Sequence, residues 1–259
     1  MSYYRSLKGK NVLVSGASSG IGEACLNAFA REGANLIFCA RSIEKLGKIN
    51  EKLGVDKTFF GKVDVRDRDN VKRFIDSIPE ELKKIDILVN NAGLALGLDK
   101  FYEGNFDDWD TMIDTNIKGL LYFSKYVANV MLSNGTNGHI INIGSIAGLG
   151  AYPNGAVYCA TKAAVRVLTD GMRMDLVDKP IKVSNIAPGM TETNFSNTRF
   201  HGDHERAKKV YQGIKPLTAE DIAELVVFTA KLPEHVQIGE LTVTPLHQSH
   251  SMVLYKENN

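Results

Sequence analysis

Cysteine is scarce in this chain: its 259 residues hold three, Cys25, Cys39 and Cys159. An odd, scattered set makes no disulfide framework and no zinc-ligand spacing. It points to a reducing compartment, which we take as cytoplasmic. A surplus of one charge is also missing. Lys and Arg number 31 against 30 Asp and Glu, for a net charge of +1. No basic excess is present to hold a nucleic-acid backbone, and no acidic tail. Long apolar runs are absent as well. No stretch approaches the ~18 consecutive apolar residues of a membrane span, and the opening "MSYYRSLKGK" lacks the apolar core of a signal peptide. There is no internal repeat, low-complexity tract or linker. What remains is 44 % hydrophobic and 24 % charged, ordinary for a globular protein, with length enough for one large α/β domain spanning 1–259.

Short apolar runs alternate with helical patterns. "KNVLVSG", "NLIFCA", "KTFFGKVDV", "KIDILVNNAG", "GHIINIGS" and "IKVSNIAPG" read as buried strands. Between them, apolar residues recur at helical spacing. One helix stops at Gly33, one has Ser42 as N-cap, one closes before Pro79, and a long one covers "FDDWDTMIDTNIKGLLYFSKYVANVMLS". Alternation with continuously apolar strands predicts a doubly wound parallel sheet with helices on both faces. After Pro188 the rhythm breaks. "MTETNFSNTRFHGDHERAKKVYQG" is polar and irregular, the character of a small lid near 190–215. A helix "AEDIAELVVFTAKLP" and a strand near "ELTVTPL" end the fold.

The first strand runs into "SGASSGIG" and then a helix. The glycines Gly16, Gly20 and Gly22 let backbone approach a pyrophosphate, and the helix start supplies free N–H groups and a positive dipole end. Ser18 and Ser19 add hydroxyls, and Ile21 lies within the loop. At the second strand end an acid would bond a ribose 2′-hydroxyl. Here Ala40 and Arg41 stand instead, and a guanidinium suits a 2′-phosphate. NADP is therefore the expected cofactor. Asp64 and Val65 end the third strand where an adenine would lie. Asn90, Asn91, Ala92 and Gly93 end the fourth, against the cofactor.

"YCATK" places Tyr158 and Lys162 one helical turn apart, on one face. Either the ammonium acidifies the phenol or the pair is chance. Gly16-x-x-x-Gly20-x-Gly22, "NNAG", Asn116, Ser145, Tyr158-x-x-x-Lys162 and Pro188-Gly189 occur together and in order. In this the whole chain resembles the short-chain dehydrogenase/reductase family, built on a single Rossmann domain. The resemblance implies Tyr158 as proton donor and acceptor, with a positive charge one turn away worth about 3 pKa units. It implies Lys162 on the nicotinamide ribose, Ser145 on the substrate oxygen, and Asn116 holding a relay water. Pro188 and Gly189 would bend around the nicotinamide, with Thr193, or else Thr191, on its carboxamide.

Longer stretches, among them "DTMIDTNIKGL", "GHIINIGSIAG" and "TNFSNTRFHGD", look like the NADP-dependent 3-hydroxy acid dehydrogenases, or serine 3-dehydrogenases. That likeness implies substrates such as serine, allo-threonine or 3-hydroxypropionate, and a homotetramer built on the helices of Asn116 and Tyr158. A carboxylate substrate calls for a cation; the lid offers Arg199, His201 and Lys208, of which Arg199 is the choice, with lid anchoring as its other reading. Three alternatives stand beside this one. The first is a reductase of apolar ketones, steroids or isoprenoid alcohols. The second is an NADPH-binding regulatory module, which would not need Ser145, Tyr158 and Lys162. The third is a metal enzyme using His201 and His204, for which no third ligand is evident, so no metal is expected.

Overall fold

The computed structural model describes residues 3–256. Each apolar run becomes a strand: β1 Asn11–Ser15, β2 Asn35–Ala40, β3 Thr58–Lys62, β4 Ile87–Asn90, β5 Gly138–Ile143, β6 Ile181–Pro188 and β7 Glu240–Val243. They form one sheet in the order β3-β2-β1-β4-β5-β6-β7, parallel at every pairing. The chain winds outward from β1 through β3, then crosses back to lay β4 on the other side of β1. This reversal opens a crevice beyond the carboxyl ends of β1 and β4, where doubly wound sheets bind ligands.

Side chains alternate along a strand, so each strand feeds two cores. Val12 and Val14 join Phe38, Phe29 and Val226 on one face, under the helices α1 Gly20–Arg31, α2 Ile43–Leu53 and α9 Ala219–Lys231. Leu13 joins Ile37, Phe74 and Phe123 on the other, under α3 Arg68–Asp76 and α5 Leu120–Ser133. Phe29, Phe38 and Phe123 are almost fully buried, and each such side chain contributes roughly 1.5–3 kcal/mol. With both faces covered, the sheet is a rigid base and only the loops at its ends are free to bind.

Several elements depart from the expectations. β3 stops at Lys62, so Asp64 and Val65 sit in the turn after it. Asp67 caps α3 by accepting the N–H groups of Asp69 and Asn70. Ser42 is at the N-cap of α2 but makes no side-chain cap bond. The long helical pattern divides into α4 Phe106–Ile113, a π-helical turn Asp114–Gly119, and α5; such a widened turn is a common mark of a functional position. The irregular lid contains two short helices, α7 Phe195–Arg199 and α8 His204–Lys209. Helix α6 spans Ala156–Asp175 and carries Tyr158 and Lys162.

Candidate active site

The turn from β1 into α1 is shaped by what its glycines avoid. A Cβ on Gly16 (φ +66°) would lie 2.7 Å from Ala92 Cα, and one on Gly22 would lie 2.5 Å from both Asn91 Nδ2 and the Gly16 carbonyl oxygen. Only glycine lets the loop close onto the end of β4. Asn91 fastens the contact by donating to the carbonyls of Ser15 (3.2 Å) and Gly16 (2.9 Å). Ser15 Oγ accepts from the N–H groups of Asn91 and Ala92 at 3.2 Å each. The result is a preformed cradle with the N–H groups of α1 at its floor, the shape and polarity that a pyrophosphate requires.

Above the cradle is a cleft of about 710 Å³. Gly16, Ser18, Ser19, Gly20 and Ile21 line its floor, and Asn91, Ala92 and Gly93 its middle. Arg41, Asp64 and Val65 stand at one end. Ser145, Tyr158, Lys162, Pro188, Gly189, Thr191, Thr193 and Arg199 stand at the other. Two expected site residues lie behind the wall. Gly22 packs under the loop, and Asn116, 2 % exposed, is locked by its amide. Asn116 Nδ2 donates to Leu94 O (2.8 Å) and Thr161 Oγ1 (3.0 Å), while its Oδ1 accepts from Leu94 N (2.9 Å). It thereby ties the loop after β4 to α6.

Lys162 is buried, and its Nζ donates to Ile143 O at the end of β5 (2.9 Å). Burial pushes its ammonium down to about 8. A Cβ on Gly93 would meet Asn116 Oδ1 at 3.3 Å and Lys162 Nζ at 3.4 Å, so both polar atoms face one spot beside β4. Ser145 Oγ accepts from Ala147 N (3.1 Å) and shares a hydrogen bond with the Tyr158 side chain. Burial works against the expected acidification of Tyr158 by Lys162. Burial raises the phenol above its ordinary value, Tyr152 adds to this, and the opposing pull comes from Arg199 and the Ser145 hydroxyl. The Lys162 ammonium is engaged by the Ile143 carbonyl, and desolvation is the largest influence on the phenol.

The lid bridges this end of the cleft. Arg199 O accepts from Gly97 N (2.9 Å), Arg206 Nη2 donates to Leu98 O (3.4 Å), and His201 Nε2 meets Asp108 Oδ2 at 3.0 Å. His204 Nδ1 pairs with Asn197 Oδ1 (2.9 Å), so the two lid histidines serve lid contacts. Among the described residues no group of three His, Cys, Asp or Glu could hold a metal. The Arg199 guanidinium faces the rings of Tyr158 (5.1 Å to the centroid), Tyr152 and Phe195 (5.6 Å each), and donates to the Tyr152 hydroxyl. Its Nε is buried without a partner, and among the described residues it forms no ion pair. All three cysteines are free and buried.

Residues that the motifs did not reveal also line the cleft, among them Lys45, Arg66, Tyr152 and Gln248. Lys45 follows Arg41 by four positions, a spacing that could have flagged it. Gln248 had no signal. It arrives from a tail that folds back, its Oε1 accepting from Met190 N (2.8 Å) where a Cβ on Gly189 would collide. Among the described residues no helix is long and apolar enough to cross a membrane.

Residues 10–204 match the family model described as short chain dehydrogenase. The chain is 44 % identical to the NADP-dependent 3-hydroxy acid dehydrogenase of Escherichia coli (strain K12) over 241 residues, 93 % of this chain and 96 % of that one. It is 40 % identical to the NADP-dependent 3-hydroxy acid dehydrogenase of Schizosaccharomyces pombe over 255 residues, 97 % of this chain and 98 % of that one. The solved closed form of serine dehydrogenase complexed with NADP+ superposes with a TM-score of 0.90 at 42 % identity, covering 95 % of this chain and 99 % of that one.

Proposed function

The chain belongs to the short chain dehydrogenase family and is an NADP-dependent oxidoreductase, and from that premise we propose that it oxidises the 3-hydroxyl of a short hydroxy acid, or reduces the matching 3-oxo acid. Serine, allo-threonine and 3-hydroxypropionate are the substrates of this reading. The preformed glycine cradle fits the cofactor, whose ring supplies the hydride acceptor or donor when bound. Gly16, Ser18, Ser19, Gly20 and Ile21 would hold its phosphates, with Gly22 packed beneath to let the loop close, Arg41 would hold its 2′-phosphate, and Asp64 and Val65 would flank its adenine. Asn91, Ala92, Gly93, Pro188, Gly189, Thr191 and Thr193 hold the reacting end.

Tyr158 takes the alcohol proton in oxidation and returns it to the carbonyl oxygen in reduction, with Ser145 fixing that oxygen. Lys162 carries the positive charge that the phenolate needs and holds the ribose. Asn116 positions it, with Oδ1 and Nζ about one spot, and leads the proton outward through water. We read residues 1–259 as one such domain. The protein forms a homotetramer through α5 and α6, which expose Leu121, Leu132, Val167 and Met174.

The observation that carries the substrate class is Arg199: a cleft cation without an ion-pair partner among the described residues, facing Tyr158, with one N–H buried and unsatisfied. A guanidinium so placed grips a carboxylate with two hydrogen bonds. Its bond to Tyr152 favours a second reading, in which it anchors the lid and the substrates are apolar carbonyls. Kinetics at 340 nm separate the two. Arg199→Met lowers kcat/KM for L-serine and 3-hydroxypropionate by about 2–4 kcal/mol and changes an uncharged alcohol of the same size little. Equal losses on both substrates would establish the anchor instead.

A further inference from the structure

At the end of β3 one carboxylate is almost wholly claimed by a neighbour two residues away. Asp64 Oδ1 accepts from Arg66 N (3.0 Å) and Nε (2.9 Å), and Oδ2 accepts from Nε (3.1 Å) and Nη2 (2.6 Å). A carboxylate offers about four acceptor positions, so Arg66 leaves Asp64 little for another donor. The turn is fixed from both sides: Asp64 N donates to Asn70 Oδ1 (2.8 Å), and Asp67 caps α3. The two side chains are 33 % and 38 % exposed, and a pair this open adds little to stability. Its location gives it another use. Asp64 and Arg66 line the cleft together with Arg41, Ser42 and Lys45, and the field of Arg41 also reaches Asp64. That end of the cleft carries three cations and one carboxylate. The surplus matches the roughly two negative charges of a phosphate monoester.

We propose that Arg66 is a positioning residue that sets cofactor choice: it ties up the Asp64 carboxylate so that this wall accepts a 2′-phosphate instead of repelling it. The proposal rests on the NADP reading and concerns a residue that reading does not use. An unclamped Asp64 would face a phosphate with a full negative charge in a partly desolvated cleft. Arg66 thus acts through Asp64 and makes an acid at a strand end compatible with NADP.

The test is calorimetric titration of NADP+ and NAD+ into the wild type, Arg66→Gln, Asp64→Asn and the double variant, at low salt. Arg66→Gln weakens NADP+ binding by about tenfold and changes NAD+ binding little. Adding Asp64→Asn to it restores NADP+ to within about threefold of the wild type. Unchanged NADP+ affinity in Arg66→Gln overturns the proposal. So does equal weakening of both nucleotides, which would make the pair a loop brace. A double variant as weak as Arg66→Gln also overturns it, by showing that the guanidinium acts on the phosphate directly. If the wild type binds NAD+ as tightly as NADP+, the cofactor reading itself fails, whatever Arg66 does.

Discussion

Tyr158 can lose its hydroxyl with little change in packing, because its ring rests edge-on against Phe195 with centroids 5.7 Å apart. Tyr158→Phe therefore lowers kcat by about 10²–10⁴ while NADPH affinity, read by titration calorimetry, stays nearly unchanged. Arg41→Ala raises the KM for NADP far more than that for NAD, since Arg41 is the exposed cation at the end of β2. Lys162 combines function with a stability penalty. Its folded value, about 8, lies below the ordinary lysine value of 10.5. The folded state thus holds fewer protons than the unfolded one between those limits, and stability rises with pH across that window. Below pH 8 the full cost of the buried charge is present, on the order of 3 kcal/mol. Lys162→Met removes that cost and the catalytic charge together. Urea unfolding shows the variant's stability advantage over the wild type at pH 7 shrinking as pH rises towards 10, while turnover is lost throughout.

At the scale of elements, the strands and most helices were legible because their cause is local. Continuous apolar runs closed by glycine, asparagine or proline become buried parallel strands wherever they lie. The cradle was legible because its glycines fall in one short stretch, and the structure adds their cause: one Cβ at Gly22 would strike both the Gly16 carbonyl and Asn91. Gly22→Ala accordingly destabilises the protein by about 1–3 kcal/mol, checked by urea unfolding, and weakens NADP+ binding. What escaped the sequence depends on groups far apart in the chain. The π-helical turn at Asp114–Gly119 adds a residue that no periodicity marks, yet it sets Asn116 between Leu94 and Thr161. The arrival of Gln248 at Gly189 is a long-range contact without a motif. The environment of Tyr158 was legible only in part, because spacing gives proximity but not solvation, and burial is the largest influence on its phenol.

For the molecule as a whole, ligand and fold are coupled. A nucleotide that binds only the folded state adds about 2.7 kcal/mol of stability at a hundred times its Kd. Differential scanning calorimetry with NADP+ shows a clear rise in Tm, and an equal concentration of NAD+ a smaller one. The sheet that supports the cleft is built outward from β1 to its two edges, and the tail that seats Gln248 against Gly189 comes after the last strand. A ribosome therefore makes the two halves of the cleft at different times. The phosphate cradle needs β4 before Ala92 and Asn91 can meet the glycine loop, whereas the wall at Gln248 emerges only after β7. Order of synthesis is nevertheless not order of assembly: α1, whose N–H groups floor the cradle, buries Phe29 in one core with Val226 of α9, so the nucleotide end also waits for the C-terminal part of the chain, and a chain cut before α9 loses both ends of the cleft together.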